Sequence, residues 1–252
     1  MTLLITDGAS GIGAATARLA AQRGHKVAIN YRSRDAQAKK VVADIVTKGG
    51  QAVALPADVS READIVGLFD ATEKALGPIT HLVNSAGIGL NSRVADYDAA
   101  ALERLFTVNT VGLMLCCREA ARRMSTKRGG KGGVVVNVSS MAGTIGGRPG
   151  ASAYAASKAA VDSFTMGFAK DVALEGIRAV SLRPGMIETE MTEKTLSDRE
   201  TRDAIESTIA MGRVGQAQEI ANAIVWLLSS EASFISGVTL DASGGGFVFG
   251  KR

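Results

Sequence analysis

The chain has 252 residues, 46% hydrophobic and 21% charged, an ordinary soluble balance that allows one sizeable core and a single domain over 1–252. A formal charge of +4 suits an anionic ligand, but the basic residues are scattered among 25 acids. The densest basic run, Lys127 to Lys131, reads as a solvated Gly-rich loop, which argues against a nucleic-acid partner.

In chain order, the predicted strands are Leu3 to Thr6, Lys26 to Asn30, Ala52 to Ala57, His81 to Asn84, Val134 to Ser139, Arg178 to Arg183 and Thr239 to Ser243. Between them lie predicted helices near Gly13 to Arg23, Asp35 to Lys48, Arg61 to Leu76, Ala99 to Met124, Ala153 to Glu175, Thr201 to Ile209 and Ala217 to Ser229. Parallel strands need helix-length, right-handed returns, so this alternation predicts an α/β fold: a doubly wound parallel sheet of about seven strands, covered on both faces. Cys116 and Cys117 are adjacent within a predicted helix, where neighbours point about 100° apart, so they read as buried small hydrophobes in a reducing cytoplasm. No export leader precedes the first strand and no uninterrupted apolar stretch reaches membrane-span length, so neither export nor a membrane partner is expected. His25 and His81 lie far apart in sequence, away from any Cys or acid cluster; they read as structural, and no metal site is expected.

Gly8, Gly11 and Gly13 sit between the first strand and the first helix, where backbone N–H groups and the positive helix end can meet a pyrophosphate. The stretch "TDGASGIG" resembles the Thr-Gly-x-x-x-Gly-x-Gly loop of the short-chain dehydrogenase/reductase family, with Asp7 in place of the first glycine. The resemblance continues in fixed order through "ADVS" at Ala57 to Ser60, "NSAG" at Asn84 to Gly87, "NVSS" at Asn137 to Ser140, "YAASK" at Tyr154 to Lys158 and "RPGMIET" at Arg183 to Thr189. It implies a Rossmann-type domain that holds cofactor and substrate together. The same resemblance assigns pyrophosphate and ribose contacts to Gly8, Ser10, Gly11, Ile12 and Gly13, and the adenine edge to Asp58 and Val59. Asn84, Ala86 and Gly87 would form the supporting strand end, and Pro184, Gly185, Ile187 and Thr189 would border the nicotinamide. Asp58 also reads as a plain helix N-terminal acid, and Ser85 stands where the family usually has a second Asn.

The second strand runs into Tyr31 and Arg32, with Arg34 nearby, where an NAD-binding site would carry a carboxylate for the ribose 2'-hydroxyl. A guanidinium suits a phosphate dianion, so NADP is expected over NAD; the residue types alone leave Arg32 open as a surface cation. Tyr154 and Lys158, four apart in a predicted helix, can share a face, and a nearby ammonium lowers a phenol's pKa. The resemblance then implies hydride transfer between the nicotinamide and a carbonyl or alcohol, with Tyr154 as acid/base and Ser140 bonding the substrate oxygen. Lys158 would also hold the nicotinamide ribose, and Asn109 would anchor a water leading from Lys158 to solvent, with a plain helix polar residue as the lesser reading of Asn109.

The segment from Thr189 to Gly212 corresponds to the family's mobile lid over the substrate, and "RPGAS" at Arg148 to Ser152 resembles glucose-dehydrogenase-like and oxoacyl-carrier-protein-reductase-like members. The resemblance further implies a homotetramer, with a dimer as the alternative. The apolar "FVFGKR" at the end reads as packing on a neighbour or as a loose tail. A nucleotide sensor or scaffold without turnover is the rival function, and Asp7 is its one hint.

Overall fold

On strand β1 (Thr2–Thr6), Leu3 and Ile5 point into one apolar layer while Leu4 points into another. Side chains alternate along a strand, so a strand covered on both faces is apolar at every position. The computed structural model describes residues 1–246; the terminal "FVFGKR" lies outside the described residues. After β1 the chain forms α1 (Gly11–Gln22), β2 (Lys26–Tyr31), α2 (Asp35–Thr47), β3 (Gln51–Pro56), α3 (Glu62–Leu76), β4 (Ile79–Asn84), α4 (Ala99–Phe106) and α5 (Leu113–Met124). It continues through β5 (Gly133–Val138), α6 (Ala142–Ile145), α7 (Ser152–Val172), β6 (Ile177–Pro184), β7 (Ile187–Glu188), α8 (Glu193–Leu196), α9 (Arg199–Glu206), β8 (Gly215–Gln216), α10 (Ala217–Leu228) and β9 (Thr239–Ala242).

Seven strands form one parallel sheet in the order β3-β2-β1-β4-β5-β6-β9, the doubly wound single domain expected from the strand-helix alternation. Helices α1, α2 and α10 cover one face through residues such as Ala17, Val41 and Ile224. Helices α3, α5 and α7 cover the other through Phe69, Cys117 and Val161. The chain leaves β1 toward β2 on one side and later returns to β4 on the other, which opens a crevice at the carboxyl ends of these strands. Register aligns Thr6 with Asn84 and Asn84 with Asn137, so the strand ends turn polar together at that crevice.

Three features go beyond the sequence reading. The predicted helix Ala99 to Met124 is interrupted by a π-helical segment at Thr107–Gly112, a device that re-aims side chains within a helix. That 26-residue unit is long and apolar enough to cross a membrane by length and composition, but Glu103, Arg104, Arg118 and Glu119 interrupt it and its inner face packs Leu105, Val108, Leu113, Cys116 and Met124 within the fold. His25 and His81 meet edge to face with ring centroids 5.1 Å apart, because β2 and β4 flank β1 and bring distant histidines to one end of the sheet.

Candidate active site

The turn from β1 into α1 packs tightly on itself. A Cβ at Gly13 would lie 2.2 Å from the Asp7 carbonyl oxygen, and one at Gly8 2.5 Å from the Ile29 side chain, so both positions require glycine. Asp7 is the one described non-glycine residue with positive φ, at 52°, a left-handed conformation that Asp tolerates better than most. Burial raises the pKa of its carboxyl; Arg34 opposes that shift and Glu190 adds to it. The first turn of α1 has no side-chain cap at Ser10, so its N–H groups stay available to an anion. Arg34 reaches over this turn, donating to Ser10 Oγ and pairing with Glu190 from the segment after β7.

The turn opens on a cleft of about 750 Å³ whose other walls include Ser140, Tyr154 and Lys158. Tyr154 and Lys158 lie one turn apart on α7, with the Lys158 ammonium 5.9 Å from the Tyr154 ring centre. Lys158 Nζ donates to the Val138 carbonyl at 2.9 Å, and burial pulls its pKa down to about 8, with Asp162 opposing. Burial raises the Tyr154 pKa and outweighs the Ser140 side chain, which favours the phenolate. The expected depression of the phenol by Lys158 is therefore corrected: with the ammonium turned to a carbonyl, desolvation decides the direction. Of the two serines after β5, Ser139 bonds its hydroxyl to the Lys158 carbonyl at 3.0 Å, while Ser140 faces the phenol.

Of the residues singled out in the sequence, Ser10, Gly11, Ile12, Gly87, Ser140, Tyr154, Lys158, Pro184, Gly185 and Thr189 line the cleft. Gly8 and Gly13 act beneath it through close packing, and Ile187 is buried against the core. Asn109 sits in the π-helical segment and clamps the Ile88 backbone with both ends of its amide, 2.8 Å from N and 2.9 Å from O. Asn84 donates to Asn137 Oδ1 at 2.9 Å, and Ala86 N donates to the Thr6 hydroxyl at 3.0 Å, which braces the end of β4. Val59 is buried, and its carbonyl occupies the space that a side chain at Gly112 would need.

Three rim residues have internal partners. Tyr31 donates its hydroxyl to Asp35 at 2.6 Å. Burial would raise the pKa of the Asp58 carboxyl, but its carboxylate accepts from Ser60 and Arg104, which bring it down to about 2. Arg32 lies 3.8 Å from Asp58 on the outer rim, and Arg34, noted in the sequence only as a neighbour, is the arginine that enters the cleft. Asp162 was missed; its spacing of four from Lys158, like that of Lys158 from Tyr154, was the available signal.

A family model described as Enoyl-(Acyl carrier protein) reductase matches residues 8–246. The uncharacterized oxidoreductase YgfF of Escherichia coli K12 is 44% identical over 243 residues, covering 96% of this chain and 98% of that protein. The chain belongs to the short-chain dehydrogenase/reductase family. A 3beta-hydroxysteroid dehydrogenase 1 of Eggerthella lenta is 36% identical, covering 99% of this chain and 97% of that one. A dehydrogenase/reductase structure from Sinorhizobium meliloti 1021 superposes with a TM-score of 0.90 at 33% identity, covering 97% and 94% of the two chains. As a member of this family the protein is an NAD(P)-dependent oxidoreductase acting on CH–OH or C=O groups. The uncapped first turn of α1, exposed along the cleft beside Ser10, Gly11 and Ile12, fits the pyrophosphate of such a dinucleotide.

Proposed function

We propose that this oxidoreductase is an NADP-dependent carbonyl reductase in which Tyr154 delivers the proton. The observation that carries this reading is half-buried Tyr154 beside buried Lys158 on α7, in the same cleft as the glycine turn. A nicotinamide dinucleotide supplies the hydride when bound. Ser10, Gly11, Ile12 and the free N–H groups of α1 would hold its pyrophosphate, Lys158 its ribose, and Pro184, Gly185 and Thr189 would border the ring. As negative charge grows on the substrate oxygen, Ser140 donates a hydrogen bond and Tyr154 gives up its proton. A phenol whose pKa is raised by burial keeps its proton at neutral pH, the form that donates during carbonyl reduction.

NADP is supported by Arg34 over the glycine turn and Arg32 at the rim, both following β2. Homotetramer assembly is supported by two apolar faces, one carrying Phe106, Val111 and Met166 and one carrying Trp226, Val238 and Leu240, all partly exposed in the single chain. Two buried free thiols, Cys116 and Cys117, suit a cytoplasmic setting. A pure sensor or scaffold has no use for a half-buried phenol beside a lysine, which weighs against that reading. The test is NADPH oxidation with a panel of ketones, aldehydes and oxoacyl thioesters. We expect turnover by the wild type and a loss of at least about 100-fold in Tyr154→Phe with NADPH binding retained. Undiminished rates in Tyr154→Phe would overturn the assignment.

A further inference from the structure

Five charged residues line the cleft: Asp7, Arg34, Arg148, Lys158 and Glu190. Four of them already face an internal partner. Arg34 pairs with Glu190 and bonds Ser10, Asp7 feels the charges of Arg34 and Glu190, and Lys158 donates to the Val138 carbonyl. Among the described residues no carboxylate pairs with Arg148, and its guanidinium makes no hydrogen bond. Arg148 is exposed where it lines the cleft, and partial burial lowers its pKa from the usual arginine value. An arginine in that position gains by taking up an anion.

The loop that carries Arg148 is anchored. Gly147 N donates to the Ala142 carbonyl at 3.0 Å, Ala151 N to the Arg148 carbonyl at 2.9 Å, and Ser92 N to the Gly150 carbonyl at 2.9 Å. A Cβ at Gly150 would lie 2.2 Å from Asn91 Oδ1, so the loop is seated directly on the segment after β4. Tyr97 Oη and Ser152 Oγ, 2.6 Å apart, close the far side just before Tyr154. The start of the Arg148 side chain is thus set relative to the phenol. The cleft lining also includes Leu90, Met141, Ile145, Met186 and Met191, apolar side chains suited to an alkyl chain.

We infer that Arg148 selects carbonyl substrates that carry a carboxylate, so that the preferred substrates are oxo acids with an alkyl spacer between carbonyl and carboxylate. The planar guanidinium can take both carboxylate oxygens at once, while the spacer lies on the apolar lining and the carbonyl reaches Tyr154. In the reaction the carbonyl carbon gains the hydride and its oxygen the Tyr154 proton, the dinucleotide is oxidised, and the carboxylate leaves unchanged as part of a hydroxy acid.

This inference deepens the proposed carbonyl reduction and can be separated from it. A ladder of oxo acids, such as 4-oxopentanoate and 5-oxohexanoate, is compared with the corresponding methyl esters in wild type, Arg148→Ala, Arg148→Lys and Arg148→Glu. Calorimetric binding of the same acids and esters is measured in parallel. We expect the wild type to favour acid over ester in kcat/KM, and Arg148→Ala to cut that ratio by roughly 10- to 100-fold, mainly through KM. Arg148→Lys should recover part of the ratio and Arg148→Glu should invert it. An acid-to-ester ratio that is the same in wild type and Arg148→Ala overturns the inference while leaving carbonyl reduction standing. If no compound turns over, binding decides: acid binding that depends on Arg148 supports the anion site and overturns the proposed reaction, and equal binding of acid and ester overturns both.

Discussion

Lys158 and Asp162 lie one turn apart on the buried side of α7, and the Asp162 carboxylate is clamped by Ser181 Oγ at 2.6 Å and Arg183 Nε at 2.8 Å. A carboxylate held in that place favours the charged form of the lysine against burial, which otherwise draws its pKa down to about 8. Asp162→Asn should therefore move the alkaline limb of the rate profile to lower pH by roughly 1 unit, because Lys158 loses its proton sooner. The check is kcat against pH for both proteins. A substitution that lowered stability alone would leave the position of that limb in place.

Arg34 stands closer to the cofactor cleft than Arg32, which is drawn to Asp58 on the rim. We expect Arg34→Ala to weaken NADPH binding by roughly 10- to 100-fold with little effect on NADH, since a charge-assisted phosphate contact contributes roughly 1.5 to 3 kcal/mol. Arg32→Ala should have the smaller effect. Fluorescence titration of both cofactors into the two variants checks the order, and a larger loss in Arg32→Ala would reverse it.

Asp7 occupies a left-handed conformation and brings a carboxylate toward the place of a dinucleotide phosphate. Asp7→Gly removes both the backbone strain and the like-charge repulsion, which at about 7 Å and an effective dielectric near 20 is roughly 2 kcal/mol before salt screening. NADPH should bind roughly 3- to 10-fold more tightly to the variant, with the smaller gain in high salt. Weaker binding would instead mark the carboxylate as a ribose ligand.

His81 is buried, and its lowered pKa favours the uncharged ring at neutral pH. Its Nε2 faces the Leu228 carbonyl at 3.2 Å, which can only accept, so Nδ1 accepts from the Thr80 hydroxyl at 2.8 Å. Burial, with His25 nearby, lowers its pKa from 6.5 to about 4. The native state therefore takes up this proton less readily than the unfolded chain. Stability is fully present above pH about 6.5 and drains away as the pH falls toward 4, by up to roughly 3 kcal/mol. Urea denaturation at pH 7.5 and pH 5 measures the loss. His81→Gln, which can donate and accept but does not titrate, should flatten it.

The sequence by itself determined the alternation of strand and helix, the glycine turn, and the spacing of Tyr154 and Lys158, because each depends on local chemistry. An apolar strand needs cover on both faces, a glycine is needed where backbone meets backbone, and four residues make about one helical turn. The exchange of Arg34 for Arg32 at the cleft was not legible, since both follow β2 within three residues and only Asp58, beyond β3, draws one of them aside. Likewise the π-helical segment that aims Asn109 at Ile88 leaves no mark on helical periodicity. The direction of the Tyr154 pKa, the meeting of His25 with His81 and the unpartnered charge of Arg148 were decided by tertiary structure alone. Each depends on desolvation or on partners far apart in the chain, and a linear sequence specifies these only once the sheet has closed.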